Sequence, residues 1–132
     1  MVAALISELE LLEGWYEDDP TMWVRFNFPF SVGTGTKNTA VVYFELEWGY
    51  RLGTHTDSAE EILLVLQGTA EASVGDEQGL LSAGQMALVP AMTPHSLRNV
   101  GDETVRVVGF CSSSMVISTF NRPIMPSANA LS

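Results

Sequence analysis

The chain holds two histidines, His55 and His95, and each lies among residues that can share chemistry with it. The first neighbourhood is Gly49-Tyr50-Arg51-Leu52-Gly53-Thr54-His55-Thr56-Asp57-Ser58-Ala59-Glu60-Glu61. Side chains two residues apart on a strand project to the same face. An extended stretch here puts His55 and Asp57 on one face. Glu61 is a further even step away and joins them if the strand continues or bends. The second neighbourhood runs from Gly84 through Pro90 to His95 and Asn99. If the strand of His95 lies beside that of Glu61, then His55, Asp57, Glu61 and His95 converge in one barrel mouth.

Such a group suits a divalent metal. Two neutral imidazoles and one or two carboxylates, with open positions, favour one first-row ion per chain, Fe, Mn, Ni or Zn. Two carboxylates also balance the charge of the ion. If Asp57 turns away, His55, Glu61 and His95 alone form a two-His-one-carboxylate face. Each residue also has a plainer reading. A strand histidine can be a satisfied core residue, and Asp57 can cap the turn near Ser58. Glu60 reads as a solvated neighbour and Asn99 as a loop brace. Gly49, Gly53, Gly68, Gly75 and Gly84 read as turn glycines. Cys111 reads as a small buried residue, because no basic partner adjoins it to make a thiolate.

The elements that must position these residues are strands. Trp23 to Phe28 is aromatic-rich, and Pro29 ends it or marks an edge. Ala40 to Glu47 carries Val42, Phe44, Leu46 and Trp48 on one face. Glu61 to Gln67 is apolar on both faces, with Leu63 and Val65 turned inward beside Glu61. Thr69 to Val74, a hairpin turn at Gly75 to Gly79, Leu80-Leu81, Met86 to Val89, His95 to Val100, Thr104 to Phe110 and Met115 to Phe120 follow. Short strands at about ten-residue spacing, split by Gly, Pro and Asp, predict an all-β sandwich or barrel. The first twenty residues read as a short helix or an irregular arm. The expected division is an arm over 1–21, a barrel over 22–120 and a tail over 121–132. The tail is expected to be loose, with Ile124 and Met125 able to dock.

Composition bounds the rest. A chain of 132 residues is one domain of a size that folds without a staple. At 46% apolar and 17% charged residues it is globular. Its formal net charge of -10 repels phosphate backbones, which argues against nucleic acid as a partner. The longest aliphatic run, Ile62 to Leu66, is too short to span a membrane. One cysteine and an acidic N-terminal stretch without a basic leader point to the cytoplasm.

The two histidine segments resemble the paired motifs of the cupin superfamily. The first pattern, G-x5-H-x-H-x3-4-E-x6-G, is met by Gly49, His55, Glu61 and Gly68, with Asp57 in place of the second histidine. The second, G-x5-P-x-G-x2-H-x3-N, is met by Gly84, Pro90, His95 and Asn99, with Met92 in place of the middle glycine. The resemblance implies a single-domain cupin-type β-barrel, a double-stranded β-helix or jelly roll. It implies that His55, Glu61 and His95 are metal ligands, with a ligand expected at Asp57 as well.

The function expected on this reading is a metal-dependent enzyme acting on a small molecule, largely apolar or aromatic, as a dioxygenase-like oxidoreductase. Alternatives are a metal-dependent lyase, isomerase or cyclase, or a non-catalytic small-ligand-binding module. Trp23, Phe26, Phe28, Tyr43, Trp48, Met86 and Met92 could line the pocket, or pack as plain core. The apolar outward residues Ile62, Leu64 and Leu66 need a cover, which a homodimer or the N-terminal arm would provide.

Overall fold

The computed structural model describes residues 1–126. Among these, twelve strands follow in chain order. They are β1 (Leu12–Tyr16), β2 (Asp19–Phe30), β3 (Ala40–Leu46), β4 (Arg51–Asp57), β5 (Glu61–Gln67) and β6 (Thr69–Val74). Then come β7 (Glu77–Ser82), β8 (Met86–Val89), β9 (His95–Asn99), β10 (Val105–Cys111), β11 (Ser118–Phe120) and β12 (Ile124–Met125). One 3-10 turn, Ile6–Glu8, precedes them and a second, Val32–Thr34, lies between β2 and β3; the described residues contain no α-helix.

The strands form a nearly closed, barrel-shaped sheet in the order β7-β6-β9-β4-β2-β3-β10-β5-β8. The architecture is the all-β barrel that the strand spacing predicts. Period-two alternation sets which residues face inward. On β3, Val42 and Phe44 turn to the interior and Leu46 is fully buried. On β5, Leu63 and Val65 do the same. With Met22, Leu97, Val105 and Val107 they form one hydrophobic core, and Phe44, Leu63 and Leu97 of that core also wall the site cavity.

Several elements differ from the sequence expectation. The first twenty residues hold both a 3-10 turn and a strand, because Leu12–Tyr16 pairs with Phe26–Asp19 of β2. Strand β2 runs through Pro29 to Phe30, and its register against β3 shifts between Asn27 and Phe30. A proline is tolerated at such a break because no ladder bond is asked of it. β3 ends at Leu46, so Trp48 leaves the inner face and is exposed. Ile124 and Met125 dock by pairing with Tyr16 and Trp15 of β1. The expectation of a loose tail falls in part on Ser127, Asn129 and Ser132, which lie outside the described residues.

The outward face of β5 stays bare. Ile62 is 43% exposed and Leu66 36%. In register, Ile62 lies between Leu88 of β8 and Phe110 of β10, both also exposed. No described segment of the N-terminal arm covers Ile62 or Leu66.

Candidate metal centre

β4 and β9 run antiparallel with His55 directly opposite His95. The two rings sit 4.1 Å apart, centroid to centroid. Each ring is fixed by a carbonyl two residues earlier in its own strand or loop. His55 Nδ1 lies 2.8 Å from the Gly53 oxygen, and His95 Nδ1 lies 2.9 Å from the Thr93 oxygen. A carbonyl oxygen only accepts, so both Nδ1 atoms carry the proton and donate. The Nε2 lone pairs are therefore free, and the tautomer is the one a metal-binding histidine uses.

Those lone pairs point at carboxylates. Asp57 Oδ2 is 3.2 Å from His95 Nε2 and 3.7 Å from His55 Nε2. Glu61 Oε1 is 3.8 Å from His95 Nε2. Donor atoms of His55, Asp57 and His95 all lie within 4.8 Å of one another. Glu61 stands just outside that tight group. The structure thus brings all four sequence-predicted residues to one end of the barrel, all buried. It does so by a different route from the expected one. β9 lies beside β4 and β6, not beside β5, and Glu61 reaches the group from the facing wall.

Two glycines make room. A Cβ on Gly53 would overlap the Tyr16 phenol, which packs against the backbone that anchors His55. Gly53 is thus a strand residue with a close neighbour, not a turn glycine. A Cβ on Gly109 of β10 would overlap the Glu61 carboxylate and come within 2.8 Å of a Val42 methyl. Asn99 is the loop brace its sequence position suggests. Its amide donates to the Leu46 and Glu103 carbonyls, and its oxygen accepts from Gly101 N–H.

The electrostatics follow from burial and proximity. Burial pushes the His55 imidazole down, and the neighbouring His95 adds to this against the opposing pull of Asp57. Burial also pushes His95 down, but its bond to Asp57, the Thr93 carbonyl and the charges of Asp57 and Glu61 win, and its pKa rises. For Asp57, burial is outweighed by hydrogen bonds from His95, once that ring carries a second proton on Nε2, and from Ser118, and by the charges of both histidines, so its carboxyl is held below the usual range. Burial and then the Asp57 charge raise Glu61 to about 7. Burial, with Glu61 next to it, pushes the Cys111 thiol up to about 12. Cys111 is therefore a thiol that donates to Glu61 Oε2 at 3.6 Å, not a nucleophile.

Lone pairs of two imidazoles and one or two carboxylates meeting in a buried space repel unless a proton or a cation lies between them. The donor set, imidazole nitrogen with hard carboxylate oxygen, fits a first-row dication.

The group opens into a cavity of about 350 Å³. Phe26 and Phe28 from β2, Val42 and Phe44 from β3, and Leu52 from β4 supply apolar walls. Of the other pocket candidates, Trp48, Met86 and Met92 face solvent, Tyr43 is buried away from the cavity, and Trp23 packs on Tyr50 at 5.1 Å. No lysine or arginine is among the residues that line the cavity.

Sequence reasoning missed the contribution of the last strands. Phe120 stacks on the His55 ring at 4.6 Å, and the Ser118 hydroxyl donates to Asp57 Oδ1 at 2.5 Å. Val116, Ser118 and Phe120 line the cavity, but apolar Met115 and Ile117 flank Val116 in the sequence, so no hydrophobic alternation marks them and only the register of β11 with β4 turns Ser118 and Phe120 inward.

A family model described as a cupin domain matches residues 42–111. No curated protein matches the chain. Among solved structures, the fold is similar to the formate complex of Lactobacillus farciminis oxalate decarboxylase, with a TM-score of 0.73 and 14% identity over 88% of this chain and 34% of that one. It is also similar to oxalate decarboxylase from Bacillus subtilis at pH 4.6, with a TM-score of 0.67 and 18% identity over 75% of this chain and 28% of that one. The chain spans about a third or less of the length of these proteins. At such identities the likeness is one of fold.

Proposed function

The chain belongs to the cupin domain family, and from that premise we propose that it is a metal-dependent enzyme acting on a small, largely apolar or aromatic molecule. His55, Asp57 and His95 hold one divalent ion, with Glu61 as fourth ligand or as a nearby acid–base group. The observation that carries this reading is the pair of locked Nδ1–H bonds, which turn both Nε2 atoms onto one carboxylate oxygen. Bound there, a first-row ion supplies a Lewis acid with open positions for a substrate oxygen or for dioxygen.

The chain's own residues do the rest. The apolar walls exclude water and leave no cationic side chain to hold an anion, so the substrate is uncharged or carries little charge. Phe120 covers one face of His55 and shields it. Two imidazoles with carboxylate suit ferrous iron, and dioxygenase-like oxidation is our first reading of the chemistry. A lyase or isomerase is the second reading. Glu61 supports it, because its carboxyl faces the cavity beside His95, where it can pass a proton to or from a bound molecule.

Oxygen uptake by iron-loaded protein, measured with phenol, catechol and benzaldehyde against oxalate, tests the choice. Uptake that needs both iron and an aromatic compound supports oxidation. Turnover of an aromatic without oxygen uptake supports the second reading. Turnover of oxalate alone would contradict the apolar-substrate reading.

As partner we propose a second copy of this chain, placed in the cytoplasm. The bare face of Ile62, Leu66, Leu88 and Phe110 supports it, and so does the single, unpaired Cys111. Ile62→Lys should then shift the mass in light scattering from dimer to monomer.

A further inference from the structure

The family match ends at residue 111, yet the chain returns across the mouth of the cavity beyond it. Val116, Ser118, Phe120 and Ile124 all line the cavity. β11 pairs with β4 so that Ser118 lies directly opposite Asp57, and Phe120 opposite His55. Both ends of β11 are tied down. Ser58 N–H donates to the Ile117 carbonyl at 3.0 Å, and Ile117 N–H donates to the Ser58 hydroxyl at 2.8 Å. Asn121 N–H donates to the Thr54 carbonyl at 3.2 Å.

This register bears on a choice that aspartate cannot make alone. A carboxylate has two equivalent oxygens and turns about its last side-chain bond. It can offer one oxygen, both, or neither to a cation. The Ser118 hydroxyl takes Oδ1 at 2.5 Å, and no other described side chain does. Oδ2 is left between the two Nε2 atoms. The hydroxyl is itself placed by the backbone ladder, while the Ser118 residue is otherwise exposed and little packing depends on it.

We propose that Ser118 is a positioning residue that makes Asp57 a single-oxygen ligand, by holding Oδ1 away from the ion. The proposal rests on the metal-site reading above. It gives the strand that follows the family-matched region a defined part in the site. Partners that fix a metal ligand in this way typically contribute about 10–100-fold in metal affinity.

The test is titration of metal-free protein with Co(II), followed by visible absorption, for the wild type, Ser118→Ala and Ser118→Thr. Far-UV circular dichroism checks that each is folded. Ser118→Ala is expected to bind Co(II) about 10–100-fold more weakly. Its visible band is expected to weaken, as both Asp57 oxygens reach the ion and coordination number rises. Ser118→Thr keeps the hydroxyl and is expected to restore both affinity and band. An alanine variant with the affinity of the wild type, an unchanged band, or no rescue by threonine would overturn the proposal and leave the metal site standing. Wild-type protein that takes up no Co(II) would overturn the metal reading and this proposal with it.

Discussion

His95 Nε2 stands 3.2 Å from Asp57 Oδ2, while the proton of that ring is held on Nδ1 by the Thr93 carbonyl at 2.9 Å. An unprotonated nitrogen and a carboxylate oxygen at this distance leave room for one positive charge and need it. In metal-free protein a second proton on His95 supplies that charge when it binds; burial opposes its binding, but Asp57 favours it, and the ring's pKa rises. His55 is farther from Asp57, at 3.7 Å, and feels its burial and the neighbouring imidazole more. His95 is therefore expected to titrate above the ordinary histidine range and His55 below it. NMR titration of the two rings in chelator-treated protein measures both. Asp57→Asn should bring His95 down. A His95 pKa at or below that of His55 would show that the pair is not arranged as described.

Glu61 gives a prediction about stability. Its carboxyl is raised from 4.5 to about 7 by burial and by the Asp57 charge. Below 4.5 the folded and unfolded chains are both protonated there. As pH rises, the unfolded chain releases the proton first, so stability falls between about 4.5 and 7 and stays low above. The shift is worth up to about 3 kcal/mol. Urea unfolding of chelator-treated protein at pH 5 and pH 8 should show wild type losing more stability than Glu61→Gln. Parallel pH dependence in the two would contradict the burial of an ionising Glu61. A divalent ion should remove most of the difference by taking up the carboxylate charge.

Gly109 keeps that carboxylate in place. A methyl group there meets both Glu61 and Val42, in a wall with no slack. Gly109→Ala should cost about 1–3 kcal/mol of stability by overpacking. Combining it with Glu61→Ala should cost less than the sum of the two single changes, because the overlapping carboxylate is gone. Additive costs would place the strain elsewhere.

Much of this was legible in the residues. Alternation on Ala40–Leu46 marks its inner face, the even step from Glu61 places Leu63 and Val65 inward, and β5 and β6 fall on the expected ranges. His55, Asp57, Glu61 and His95 were readable as a group from even spacing and motif position. Which walls they stand on was not. Pairing of β9 with β4 and β6 is long-range, and no local pattern specifies it. The β1 strand was hidden for a similar reason. Leu12–Tyr16 carries two acids or glycines among its five residues, and only its partner β2 makes it extended. Met92 stands at the motif glycine with φ 62, so the left-handed turn persists without the glycine that would signal it. Its N–H donates to the Asp57 carbonyl at 2.8 Å, which ties that loop to the site. Ser118 and Phe120 escaped notice because their roles exist only in register with β4.

The central claim is that one metal ion sits among His55, Asp57 and His95. Elemental analysis of protein purified without an affinity tag or chelator tests it most directly, with His95→Ala prepared alongside. About one first-row metal ion per chain is expected in the wild type, and little in the variant. Wild-type protein that carries no metal and takes none up on titration, or a variant that keeps its full metal content, would contradict it.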